Sequence, residues 1–155
     1  MTTASADVRM RRPAAHEALM KELQDEGAFP TFRDVLLLAG AVGFRQGRRA
    51  AFTLTAGDPI RYETLSARTF SDTLINMIAV NTVDDPEVMD ESRLEERVRI
   101  FEEFANGGLE YIQEQTNVRH QPAALVVRDL VIEALDNEKG AEAVSVDELL
   151  DGLKW

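Results

Sequence analysis

Residues 33–49 read RDVLLLAGAVGFRQGRR: a long apolar run with glycines inside it, then three arginines within five positions. Val35, Leu36, Leu37, Leu38, Ala39, Ala41 and Val42 leave no polar stripe after the first turn. That pattern predicts a helix covered on most sides, the core element of the fold. Thr31, followed three residues later by Asp34, is a capping-box start with aspartate in place of the usual glutamate, and Gly43 suits the left-handed residue that ends a helix. The predicted helix is therefore 32–42. Fully burying each Val or Leu contributes about 1.5–3 kcal/mol, so a charge at Leu37 should unfold the domain.

Working outward, residues 1–12 show no periodic pattern and read as a flexible arm. Pro13, the spacing of Leu19, Met20 and Leu23, and a stop at Gly27 predict a helix over 13–26. On the other side, AAFTLTAGDPIRYETL (50–65) holds two short runs around a Gly-Asp-Pro turn, consistent with a short β-hairpin. Thr69 and Asp72 open a helix whose packed face is Phe70, Leu74, Met77 and Ile78, ending near Val80. Asp85 and Pro86 start a short turn to Met89. A longer helix, 92–105, follows, with Leu94, Val98, Phe101 and Ala105 inward and Glu95, Glu96, Glu102 and Glu103 outward.

Asn106, Gly107 and Gly108 then predict a break, because both residue types tolerate left-handed backbone and glycine disfavours a helix interior. Leu109–Glu114 would resume as a separate helix. Pro122 begins another, with Val127, Leu130, Val131 and Ala134 as its stripe, and Ser145 with Glu148 caps a last segment. The expected class is mainly α: a compact multi-helix domain with a short β-hairpin near residues 50–65. Its expected division is an arm at 1–12, a helical domain at 13–120, and a helical extension at 121–155 packed on the same domain.

The chain has 155 residues, enough for one domain with a real core. Its net charge of -11 excludes a uniformly electropositive face for wrapping nucleic acid but not a local basic patch. Cysteine is absent, which removes disulfides, thiolate catalysis and cysteine-ligated metals. The start, MTTASADVRMRRP, has no apolar core of a secretion signal, and Val35–Phe44 is half the length of a membrane span. The expectation is a cytoplasmic chain with no membrane partner.

Nucleophilic triads need a positioned base, and only His16 and His120 are on offer, neither in a motif and both read as plain surface residues. Asp84, Asp85, Glu87, Asp90 and Glu91 invite a cation, but the ligand order of a calcium loop is missing and solvated helix starts explain them better. The glycines Gly40, Gly43 and Gly47 do not form a phosphate loop, since a helix precedes them and no lysine follows. No catalytic residue, metal site or cofactor is expected.

Charge is polarised along the chain. Arg45, Arg48, Arg49, Arg61 and Arg68 outweigh Asp58 and Glu63 over 45–68, whereas 84–103 is strongly acidic. One reading makes Arg45, Arg48, Arg49 and Arg61 a phosphate-contacting surface. The favoured reading pairs the arginines internally with the acidic helix or with the carboxyl end of helix 32–42.

Four blocks occur in order: FPTFRDVLLLAGAVGFRQGRR from Phe29, DPIRYETL from Asp58, LINMIAVNTVDDPEVM from Leu74 and RIFEEFANGGLEYIQ from Arg99. Together they resemble the dnd system-associated protein 4 family, also called DNA phosphorothioation-associated protein 4. The resemblance covers roughly residues 16–115; the part from Pro122 on lies outside it. It implies a place beside systems that put sulfur into the DNA backbone and separate self from invading DNA, in modification, restriction and anti-phage defence. It implies no catalytic residues. The leading expectation is a non-enzymatic accessory protein acting by protein contacts, with Leu109, Tyr111 and Ile112 at the break as the partner surface. Its partners would be the other proteins of the system, DNA through the arginines in the alternative reading, and a second copy in a homo-oligomer.

Overall fold

The computed structural model describes residues 8–26 and 29–151, with side chains through Glu138. The fold is mainly helical, as expected, and is organised by the crossing of α2 (Phe32–Gln46) and α5 (Leu94–Arg119). Thr31 caps α2: its Oγ1 accepts from the Asp34 N–H at 3.3 Å and donates to the Asp34 carboxylate at 2.8 Å. The helix does not end at Gly43. It runs on to Gly47, whose φ of +65° provides the left-handed stop. Gly43 is needed elsewhere: a Cβ there would fall on the Phe104 carbonyl and against the Gly108 nitrogen.

The same contact explains why the predicted break at 106–108 is absent and α5 is a single helix of 26 residues. Two glycines cost about 1 kcal/mol each in helix propensity, but here they let backbones meet. Gly108 lies against the Ala39 carbonyl and the Gly43 nitrogen, and Gly107 against the Arg48 carbonyl. Gly40 lies under the Phe101 ring. Asn106, almost fully buried, donates from Nδ2 to the Ala50 carbonyl at 2.9 Å, and the Ala50 N–H donates to the Glu103 carbonyl at 3.1 Å. The Asn-Gly-Gly run is a docking face for the chain itself.

Around this crossing, α1 (Glu17–Asp25), preceded by a 3-10 turn over Ala14–His16, buries Leu19, Met20 and Leu23. The expected stop at Gly27 lies outside the described residues. After α3 (Tyr62–Leu65), α4 (Ser71–Thr82) packs Ile75, Ile78 and Ala79 inward. Thr69 does not cap it. Phe70 precedes the helix at φ +69° and is exposed, and Met77 is exposed too, because the packed row passes through Ser71, Ile75 and Ile78 instead. A 3-10 turn over Pro86–Met89 follows, with Asp85 as its cap, as the sequence implied.

In α6 (Ala123–Asp151), Ala123, Val126 and Val127 are buried. Its first amides are capped from another helix: Ala123 N–H donates to Glu22 at 3.1 Å and Ala124 N–H to Glu26 at 3.3 Å. Carboxylates at a helix N-terminus satisfy unpaired donors and oppose the helix dipole. The backbone stays helical through Ser145. No separate capped segment starts there, since no proline intervenes and Glu, Ala and Leu favour continuation.

The short antiparallel pairing near 50–65 uses β2 (Ile60–Arg61), but its partner is β1 (Arg9–Met10) rather than the run 52–55. Thr55 instead bridges Pro13. Residues 8–12 are therefore not a free arm. Met10 is fully buried, and Arg11 is clamped to Glu102 by its backbone N–H (2.7 Å), Nε (3.0 Å) and Nη2 (2.6 Å). Glu102, expected to face solvent, is completely buried and also accepts from Arg99 at 3.1 Å. A buried carboxylate persists only with such a set of donors.

Candidate interaction surfaces

The arginines after α2 are tied to carboxylates. Arg48 forks onto Glu114 at 2.6 and 3.0 Å, with Tyr111 beside its guanidinium at 5.9 Å to the ring centre. Arg49 donates to Glu103 at 2.6 Å and lies 5.9 Å from the Phe104 ring centre. Arg45 is 3.8 Å from Glu138, and Arg68 is 2.7 Å from Asp34. The hydrogen bond to Arg48 holds the Glu114 carboxyl below its ordinary range. Four of the five arginines are paired internally, but only Arg49 meets the expected helix 92–105: Glu110 and Glu114 lie beyond its expected end, Glu138 is on α6 and Asp34 on α2. Arg61 is different. It sits exposed on β2, directly across from Arg9.

The residues expected to greet a partner are inside. Leu109 and Ile112 are fully buried and Tyr111 is half-buried under Arg48, because unbroken α5 turns them toward the core. A surface made of these three is not formed.

The acidic run 84–91 builds a turn. Asp85 accepts from the Glu87 N–H at 3.0 Å and from Arg93 at 2.7 Å; Asp90 accepts from the Ser92 N–H at 2.9 Å. Both carboxyls are held below their usual range, Asp85 first by Arg93 and Asp90 first by the Ser92 side chain. Beneath the turn, Arg97 is almost wholly buried and donates to the Val88 carbonyl (2.6 Å), the Asp90 carbonyl (2.7 Å) and Asn76 Oδ1 (3.0 Å).

His16 is not a plain surface residue. It is half-buried in a groove of about 510 Å³ with Phe52, Leu54, Asn106 and Glu110. Burial pushes its pKa down, opposed by the Glu110 charge. His120, exposed at φ +53°, ends α5.

A second groove, of about 180 Å³, lies between α2 and α6. Leu38, Ala41, Val42, Leu130, Val131 and Leu135 line it, with Arg45 at its mouth. Leu135 is 54% exposed, and Ile132 and Val131 beside it are 48% and 41% exposed. The stripe Leu130, Val131 and Ala134 was visible in the sequence, but its lack of cover was not.

These features describe a small helical domain with most of its described arginines neutralised internally and an apolar groove lying between two of its helices. The chain belongs to the family described as DNA sulphur modification system-associated protein 4, whose profile matches residues 9–148. The match takes in β1 and most of α6, so the segment from Pro122, which lay outside the resemblance read from the sequence, is part of the family's length. Comparison with curated proteins and with solved structures returned no match. Among the described residues, no helix is long and apolar enough to cross a membrane.

Proposed function

We propose that this chain is a non-enzymatic accessory subunit of a DNA sulphur modification and restriction system, acting in the cytoplasm and in anti-phage defence by binding another protein of that system. The observation that carries the reading is the apolar groove between α2 and α6, with Val131, Ile132 and Leu135 left in water although Ala123, Val126 and Val127 at the start of α6 are buried. Contiguous apolar surface of this kind, rimmed by charge, marks a protein contact. The occupant that fits is an amphipathic helix with basic flanks. Asp136 is exposed on the same stretch of α6, between Glu133 and Glu138, which pair with Arg119 and Arg45, and a second copy of this chain would add a further charge of -11 against it. Phosphate contact through Arg45, Arg48 and Arg49 has less support, since each has a carboxylate partner.

The test is affinity capture of the tagged chain from cells expressing the neighbouring proteins of the system, beside light scattering of the purified chain. One of those proteins should be retained stoichiometrically and lost from Leu135→Asp. Recovery as a free monomer in their presence, or retention by the variant, overturns the reading; so does a stable homodimer that buries the groove.

A further inference from the structure

Fourteen arginines are present in the chain, and among the described residues all but two are occupied. Eleven form an ion pair with a carboxylate, and Arg97 is saturated by carbonyls. The exceptions are Arg9 and Arg61. They are direct cross-strand neighbours in the β1–β2 pair, and both are exposed. The Tyr62 N–H donates to the Val8 carbonyl at 3.0 Å, which makes Arg9–Arg61 the non-hydrogen-bonded pair of the ladder, where facing Cα atoms approach to about 4.5 Å. Like charges directly opposite each other are unfavourable. This chain nonetheless sets two exposed arginines directly opposite each other, in a molecule where carboxylates outnumber cations and supply partners to nearly every other arginine.

The placement is also rigid. Met10 is fully buried next to Arg9, Arg11 is held by buried Glu102, and Pro13 bridges Thr55 further along. The backbone that carries both cations is fixed before anything binds. We propose that Arg9 and Arg61 form a binding site for the phosphodiester backbone of nucleic acid. Planar forks carried on two facing residues can meet the non-bridging oxygens of a phosphate, or of successive phosphates, and an anion between them turns the cross-strand repulsion into attraction. Asp58 and Glu63, the nearest acids in sequence to Arg61, take part in none of the ion pairs among the described residues. With a net charge of -11 on the chain and its other described arginines paired or saturated, the contact is confined to this spot and reads charge rather than base sequence. It does not depend on the α2–α6 groove.

The experiment is fluorescence anisotropy of the full-length chain with a DNA duplex of about 20 base pairs, across salt from about 50 to 200 mM. Arg9→Gln/Arg61→Gln should weaken binding at low salt at least about tenfold and flatten the dependence of log K on log salt by about two. Arg48→Gln/Arg49→Gln should leave both unchanged. The first variant should melt no lower than the native chain, since it relieves like-charge crowding, and should still capture the partner protein through the groove. The proposal is overturned if the native chain fails to bind the duplex or the Arg9/Arg61 variant binds it equally well. It is also overturned if a poly-glutamate peptide displaces the duplex at comparable concentration, which would make the site one for acidic protein.

Discussion

The two faces of α2 were finished differently. Toward α5, Gly40 and Gly43 meet Phe101, the Phe104 carbonyl and Gly108, and the two helices approach until backbone touches backbone. Toward α6, Leu38 and Val42 meet Leu130, Val131 and Leu135 across a gap that stays open. Both faces are apolar. What separates them is shape: small residues on both sides of one seam let main chains interlock, whereas bulky side chains on the other hold the helices apart and leave the groove for something else to fill. The closed seam should therefore govern stability and the open one binding.

Gly108→Val puts the largest strain on that contrast. Its side chain would collide with the Ala39 carbonyl and the Gly43 nitrogen, backbone atoms that cannot swing away. Overpacking usually costs 1–3 kcal/mol, and with main chain as the obstacle a loss of about 3 kcal/mol or more is expected. Denaturant unfolding measures it. A loss below about 1 kcal/mol would show that the seam is not closed as described.

That seam also marks the boundary of what the sequence discloses. The core helix, its Thr31 cap and the Asp85 cap are local patterns, and they were legible. The Asn106-Gly107-Gly108 run was not, because a glycine pair within a helical pattern fits either a break or a close approach, and only the opposing backbone decides. A break at this point would also leave Leu109 and Ile112 available to a partner and remove Glu110 and Glu114 from the helix that pairs with Arg48. Charge balance nevertheless indicated internal pairing, since it depends on totals rather than on which carboxylate is met. β1 is two residues long, too short for alternation to register, so the sequence signals neither the place of Arg9 nor the burial of Glu102. The open groove depends on which helix lies next to α2, information absent from any local window.

A smaller loss is expected from Glu102→Ala, which fixes β1 to the closed side of the molecule. The substitution strips acceptors from the Arg11 backbone N–H and guanidinium and from Arg99. Because the arginines keep some access to water, the cost should be about 2 kcal/mol rather than the larger penalty of a fully stranded charge. Thermal melting checks it. Hydrogen exchange at Met10 and Tyr62 should quicken in the same variant, and unchanged protection there would detach Glu102 from the strand pairing.

His16 supplies a pH-dependent version of the same contrast, smaller again. It lies beside Asn106 on the closed side, facing Glu110, with its pKa lowered by burial. A histidine depressed in the folded state binds fewer protons there than in the unfolded chain, so its contribution is complete above about pH 6.5 and declines as pH falls below that value. Unfolding free energy should be level from about pH 8 to 7 and slope downward toward pH 5.5. His16→Gln should remove that slope. An upward slope on acidification would mean that Glu110, not burial, dominates the site.

The least effect on stability, and the most on binding, belongs to Leu135→Asp. Leu135 is more than half exposed, so the carboxylate remains hydrated and the unfolding free energy should move by no more than about 0.5 kcal/mol, as for other surface substitutions. Glu133 and Asp136 already make this part of α6 acidic, so another negative charge is tolerated by the isolated chain. An apolar partner helix seated over Leu38 and Leu135 would have to desolvate that charge, and capture should fall by at least about tenfold. If instead the variant loses several kcal/mol while partner binding persists, the α2–α6 face is part of the core, and the distinction between a seam for folding and a seam for binding fails.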